Sequence, residues 1–288
     1  MPSPTGPLVT SDRVHAARTL AAESGTDLLV LTPGSDLRYL TGYDAHAMER
    51  LTALAVPRVG EPFLVVPRLE APMVDVSPAG ALGLDVLAWD ETDDAFALLA
   101  GEATARLGSA PTRVAVGART WAEHALGVQR ALPGSALELA GPVLDRLRMV
   151  KSAAEIEELA QAGAAIDRVH ARMAEFLTVG RTEAAVGADI AAAILEEGHV
   201  GVDFTIVGSG PNGASPHHEL SDRVVRAGDV VVVDIGGETA TGYRSDCTRT
   251  YVVGTANDFA KEIYDVVLRA HLVLDRRPVS ETWDAVAD

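Results

Sequence analysis

Asp234 and Asp246 stand in the stretch Val230 to Val253, which reads as two β-strands joined by a short loop rich in Gly and Thr. The first strand, Val230 to Ile235, is an apolar run broken by the charge of Asp234; the second, Tyr243 to Val253, alternates more and carries Asp246. With residue 240 at the middle of the turn, a simple antiparallel register sets the two carboxylates opposite each other. Opposed like charges destabilise a ladder, and burying an unpaired carboxylate costs several kcal/mol. A cation between them removes both penalties, and Asp oxygens suit hard divalent ions. The alternative is a surface hairpin with two solvated Asp. The run Val231 to Val233, which suits a strand covered on both faces, argues against it.

Two carboxylates can bridge two metals about 3.5–4 Å apart, which activate a water and clamp a carbonyl oxygen. Each ion needs about four to six ligands, so other residues must contribute. His217 follows a Gly/Pro/Asn loop. A loop histidine there can hydrogen-bond a substrate carbonyl or a leaving group, or simply face solvent. His218 reads as a structural or rim residue. Neither Gly208-Ser209-Gly210 nor Gly236-Gly237 precedes a helix as a phosphate loop requires, which argues against nucleotide binding.

The elements that must position these residues fall into two groups. In the first half, the pattern predicts a helix from Ser11 to Ser24 and strands at Asp27–Thr32, Leu51–Pro57, Phe63–Val66, Asp85–Trp89, Arg113–Val116 and Ala136–Leu139. Helices at Ala95–Leu107 and Trp121–Ala131 alternate with them, which predicts an α/β layer domain. Arg148 to Ser152 marks the boundary, giving domains 1–148 and 149–288, and Ser152 with Glu155 forms a capping box. The helix that follows extends to about Leu177, with positions 156, 159, 163, 166, 173 and 177 as its apolar face. Thr182 opens another helix, a loop segment carries Phe204 to His218, and the hairpin leads to a last helix over Asn257–Asp275. The apolar face of that helix includes Phe259, Ile263, Val266, Val267 and Ala270. This order predicts an α+β domain with an antiparallel sheet.

Composition narrows the function classes. Of 288 residues 48% are apolar, enough for real cores, and no apolar run reaches the length of a membrane span. Cys247 is the single cysteine, which excludes an internal disulfide framework and fits a reducing cytoplasm. Forty-one acidic against 24 basic residues give a net charge of −17, unfavourable for nucleic acid or an anionic membrane.

Four stretches together resemble the M24 "pita-bread" metallopeptidases, in the branch of Xaa-Pro aminopeptidases and Xaa-Pro dipeptidases (prolidases). They are Tyr39-Leu40-Thr41-Gly42; Leu147-Arg148 to Lys151-Ser152 with Glu155-Ile156; Gly208 to Asn212 with Pro216-His217-His218; and Asp234-Ile235-Gly236-Gly237 with Gly242-Tyr243, Ser245-Asp246 and Thr248-Arg249-Thr250. The resemblance implies a creatinase-like α/β N-terminal domain followed by an α+β pita-bread catalytic domain. It implies two divalent ions, manganese first, with cobalt or zinc as alternatives. Asp234 would then bind one ion through both oxygens and Asp246 would bridge the two. His217 would assist at the scissile amide, and His217 and His218 would line the substrate. The implied reaction is hydrolysis of the bond between an N-terminal residue and proline, by a cytoplasmic homodimer.

The chain departs from the family pattern in one respect. The pattern continues, past the helix at Asn257, with a histidine ligand in a Gly-His-Gly context and two glutamate ligands, and none of these motifs occurs here. Residues 276–288 read as a loop and the start of a helix. The expectation is an incomplete catalytic domain with two of five metal ligands, weak or absent activity, and apolar strand residues such as Val230 to Val233 left on a sheet edge. The alternatives are a non-catalytic relative acting as a binding or dimerising protein, and a creatinase-like C–N hydrolase.

Overall fold

The computed structural model describes residues 8–274, so residues 276–288 lie outside it. The chain divides into two compact units, with the break between Ala154 and Glu155.

The first unit is built on six strands: β1 (Leu28–Leu31), β2 (Ala53–Pro57), β3 (Phe63–Pro67), β4 (Asp85–Trp89), β5 (Arg113–Val116) and β6 (Ala136–Leu139). They form one mixed sheet in the order β4-β3-β2-β1-β5-β6, antiparallel at β1–β2 and β2–β3 and parallel elsewhere. Every residue of β1, β2 and β3 is buried, which explains their unbroken apolar runs. Alternation sends Leu29, Leu31, Leu54 and Leu64 to one face. There they pack on α1 (Ser11–Glu23), α2 (Ser35–Thr41), α3 (Ala71–Val76) and α6 (Gly141–Met149). Leu28, Val30, Ala55 and Phe63 go to the other, against α4 (Ala95–Leu107) and α5 (Ala122–Ala131). The Tyr-Leu-Thr-Gly motif closes α2: Leu40 and Thr41 are fully buried, and Gly42, at φ +70°, makes the left-handed cap. A side chain at Gly42 would also strike Pro78.

The second unit contains α7 (Ala153–Ala171), α8 (Met173–Phe176), α9 (Glu183–Glu196), β7 (Gly201–Ser209), β8 (Val230–Glu238), β9 (Cys247–Val252) and α10 (Asp258–Leu274). Its sheet is antiparallel in the order β7-β8-β9. Val231, Val233 and Ile235 are fully buried against Ile166, Val169, Val186, Ile190 and Ile194 from the helices. The opposite face of β8 carries Val230, Val232 and Asp234, each half-buried.

Four sequence expectations need correction here. The segment expected as a loop from Phe204 begins as strand β7, because Val207 and its neighbours pair with β8. That pairing makes β8 the central strand, so Val230 to Val233 are not on an edge. The helix expected to reach Leu177 ends at Ala171, and Arg172 separates it from α8. The buried face of α7 is also not the expected one. Ile156 is 58% exposed, whereas Glu155, Glu158, Ala162, Ala165, Ile166 and Val169 are buried. Glu155 accepts from the Tyr243 hydroxyl and Glu158 from that of Thr241, so hydrogen bonds to the β8–β9 turn set the rotation of the helix. The apolar side chains Phe259, Ile263, Val266 and Val267 of α10 are exposed among the described residues.

Candidate functional site

The pairing of β8 and β9 decides how the two aspartates relate. Asp234 lies opposite Thr248, and Ile235 opposite Cys247. A further bridge joins Glu238 to Arg244. The turn is therefore centred one residue later than expected, and Asp246 falls in line with Gly236 instead of Asp234. The physical cause is the tight turn, in which Thr239 N–H donates to Tyr243 O and Gly242 N–H to Thr239 O. The shift moves Asp246 by two positions and so leaves it on the same face of the sheet as Asp234, a diagonal neighbour about 7–8 Å away. Gly236 is needed at this point: a Cβ there would collide with Ser245 O and the Phe204 ring. The Asp-x-Gly of the sequence thus lets the β9 arm approach closely where Asp246 enters.

Asp234 is half-buried beside a cavity of about 220 Å³ lined also by Ile206, Gly208, Val232, Thr248 and the loop residues Ser215 and Pro216. Its Oδ1 accepts from Thr248 Oγ1 at 2.6 Å, and its Oδ2 accepts no hydrogen bond among the described residues. Asp246 is exposed. Two hard carboxylates on one face, one with a bare oxygen, suit a hard divalent cation in kind. Among the described residues no third His, Cys, Asp or Glu gathers with them.

Ser245, the neighbour of Asp246, is buried and held from two sides. His199 Nε2 lies 2.8 Å from its Oγ, which also accepts from Gly237 N–H. On the helix face, His170 Nε2 lies 3.0 Å from Cys247 O, and its Nδ1 lies 2.8 Å from the Tyr251 hydroxyl. Burial lowers the proton affinity of both rings, His170 and His199, below the ordinary value of 6.5. The unfolded chain takes up protons near pH 6.5 while these rings stay neutral in the fold. Stability is therefore expected to be flat above about pH 7 and to decline as pH falls below about 6.5. Thermal melts of wild type and His170→Gln across pH 5–8 check this: the variant should show a shallower decline.

The loop histidines are placed differently. His217 is exposed. His218 is half-buried, with Nε2 2.8 Å from Glu183 Oε2. Sequence reasoning missed Glu183, which is fully buried at the start of α9. Its Oε1 accepts from Ser209 N–H at 2.7 Å, Ser209 Oγ at 2.6 Å and Asn212 Nδ2 at 3.1 Å. Its Oε2 accepts from Asn212 Nδ2 at 3.0 Å, His218 at 2.8 Å and Ser221 Oγ at 2.5 Å. Burial works to raise its pKa, but the bonds from Ser209, Ser221 and His218 outweigh it and hold the carboxyl at about 2. The signal was Thr182-Glu183 at a helix start, which the capping reading of Thr182 absorbed; Thr182 Oγ1 does accept from Ala185 N–H.

Two family models match the chain. Residues 13–150 match the creatinase/prolidase N-terminal domain and residues 157–276 match metallopeptidase family M24. The probable dipeptidase PepE of Mycobacterium tuberculosis is 51% identical over 258 residues, covering 90% of this chain and 68% of that protein. The chain belongs to metallopeptidase family M24. Another relative is the Xaa-Pro dipeptidase of Lactobacillus helveticus, 27% identical over 85% of this chain and 66% of its own length. Among solved structures, dipeptidase PepE from Mycobacterium ulcerans superposes with a TM-score of 0.84 at 50% identity, covering 90% of this chain and 69% of that one. Prolidase from Thermococcus sibiricus gives 0.81 at 29% identity, covering 92% and 71%. The chain thus spans about two thirds of the length of these relatives. The expected creatinase-like and pita-bread fold is borne out. No helix among the described residues is long and apolar enough to cross a membrane.

Proposed function

We propose that this chain carries the metal-holding carboxylates and the substrate loop of a manganese-dependent Xaa-Pro dipeptidase. The observation that carries the reading is the register that sets Asp234 and Asp246 on one face of the β8–β9 hairpin, with Gly213, Ser215 and Pro216, which lead to His217, lining the same cavity as Asp234. Asp234 and Asp246 would hold the metal, which when bound activates a water and polarises the scissile carbonyl. Thr248 orients Asp234 by donating to Oδ1, so that Oδ2 is the oxygen presented to a cation. His217, exposed at the loop, is free to donate to the substrate carbonyl or to deliver a proton to the proline nitrogen as it leaves. His218 backs the loop through Glu183. The Xaa-Pro dipeptidases among the relatives support proline as the second residue.

Two carboxylates form only part of a divalent ion's shell, and no third such ligand joins them among the described residues. The test is steady-state hydrolysis of Ala-Pro and Ala-Ala by the purified chain over a manganese titration. Turnover that rises with manganese and favours Ala-Pro supports the reading. Faster hydrolysis of Ala-Ala would overturn the proline preference, and turnover indifferent to manganese and to chelator would overturn the metal assignment.

A further inference from the structure

We propose that Glu183 is a positioning residue that clamps the substrate loop from both ends. Asn212 and His218 flank the segment Gly213 to His217, and both donate to the same buried carboxylate. Between these two anchors lie Gly213, Ser215 and Pro216, which line the same cavity as Asp234, and His217. The loop is further stiffened within the clamp. Ser215 N–H donates to Asn212 O at 3.1 Å, and Pro216 fixes its own φ. The clamp is tied to the scaffold through Ser209 at the end of β7 and Ser221, which donate to the remaining lone pairs. Glu183 itself is anchored by its backbone N–H to Arg223 O at 3.0 Å.

The chemistry of the contact also defines His218. An ionised carboxylate only accepts, so the proton of the contact sits on His218 Nε2. With Nε2 committed to Glu183, the ring cannot turn toward the cavity, and His217 is held between Pro216 and an anchored neighbour. A carboxylate is required for this job: an amide at position 183 would place its N–H₂ against donors, and His218 would have to carry its proton on Nδ1 to accept from it. The clamp stands on the geometry alone; its benefit to catalysis rests on the role proposed above for His217.

Histidine-ring NMR and amide hydrogen exchange on the full chain test it. Wild type is expected to show a slowly exchanging ring N–H that His218→Gln assigns to Nε2 of His218. In Glu183→Gln that signal should vanish or give way to an Nδ1–H. Amide protection of Ser209 and of residues 213–219 should fall about tenfold or more, while β1–β3 stay unchanged. His218→Phe frees one end only, so protection should fall over 215–219 and persist at Ser209. Retention of the Nε2–H signal and of loop protection in Glu183→Gln would overturn the clamp. So would a uniform loss of protection across β7–β9 in His218→Phe, which would mark a general packing role; this variant decides the matter if Glu183→Gln does not fold. Neither readout uses turnover, so an inactive chain would count against the peptidase reading and leave the clamp intact. Where turnover is measurable, Glu183→Gln should lower kcat more than it raises KM, because aim at the transition state is lost, not substrate binding.

Discussion

Asp234→Ala is expected to reduce manganese binding to the level of the chain's general acidic surface. The loss should exceed about a hundredfold in affinity, the upper end of what outer-sphere partners of metal ligands contribute. The net charge of −17 makes that background substantial, so the comparison must be made at physiological salt, where diffuse cation binding is screened. Asp246→Ala should behave similarly, because the register puts both carboxylates on one face of the same strand pair. Thr248→Val should be milder, about tenfold to a hundredfold, since Thr248 orients Asp234 without being a ligand in this scheme. Calorimetric titration with manganese resolves the three. None of these variants should lower thermal stability by more than a few degrees, because Asp246 and Thr248 are exposed and Asp234 is only half-buried. Asp234→Ala binding manganese like wild type would show that the metal sits elsewhere.

Glu183→Ala is expected to be the most destabilising single change in the second unit. It strands the Ser209 amide, the Asn212 amide group and the His218 ring N–H in a site with little water. Each unmet donor costs about 1–3 kcal/mol, so a total of about 3–5 kcal/mol is reasonable after relaxation. The same residue should make the unit acid-sensitive. Its carboxyl is held at about 2, against an ordinary 4.5, despite burial. The groups facing it are the His218 ring and, through Ser209, the Arg223–Asp229 ion pair. A depressed carboxyl pKa stabilises the fold fully above pH about 4.5, and that contribution of about 3 kcal/mol is lost as pH falls toward about 2. The stability gap between wild type and Glu183→Gln, measured by urea unfolding, should thus be constant above pH 5 and narrow steadily below it. A gap independent of pH down to 2.5 would mean that Glu183 carries no buried charge.

Much of the fold was legible in the chain. In the first unit β4, α4, β5 and β6 match their expected bounds, because each is closed off by turn and capping residues close in the chain, such as Asp94 before α4 and Gly108 after it. The hairpin and its two aspartates were legible for a similar reason: β8 needs an unbroken Val run, so a charge within it stands out. The candidate site was legible as a motif, from Pro216-His217-His218 to Ser245-Asp246. Harder to see was anything set by contacts distant in the chain. The buried side of α7 follows from Tyr243 and Thr241 reaching back to Glu155 and Glu158, and no periodicity within the helix encodes that. The role of Glu183 was hidden beyond its place at a helix start, because the partners that define it lie 26 to 38 residues away.

The amino-acid sequence by itself determined which residues are candidates for the chemistry, the α/β-then-α+β order of elements, and the family. Local composition and spacing suffice for these, since apolar runs and turn residues act over a few positions. The tertiary structure alone decided the register that sets Asp234 opposite Thr248, with Asp246 in line with Gly236. It also decided the central place of β8, and the buried carboxylate to which both ends of the His217 loop are tied. Those outcomes depend on one turn's hydrogen bonds and on donors converging from separate segments, which exist only once the chain has folded.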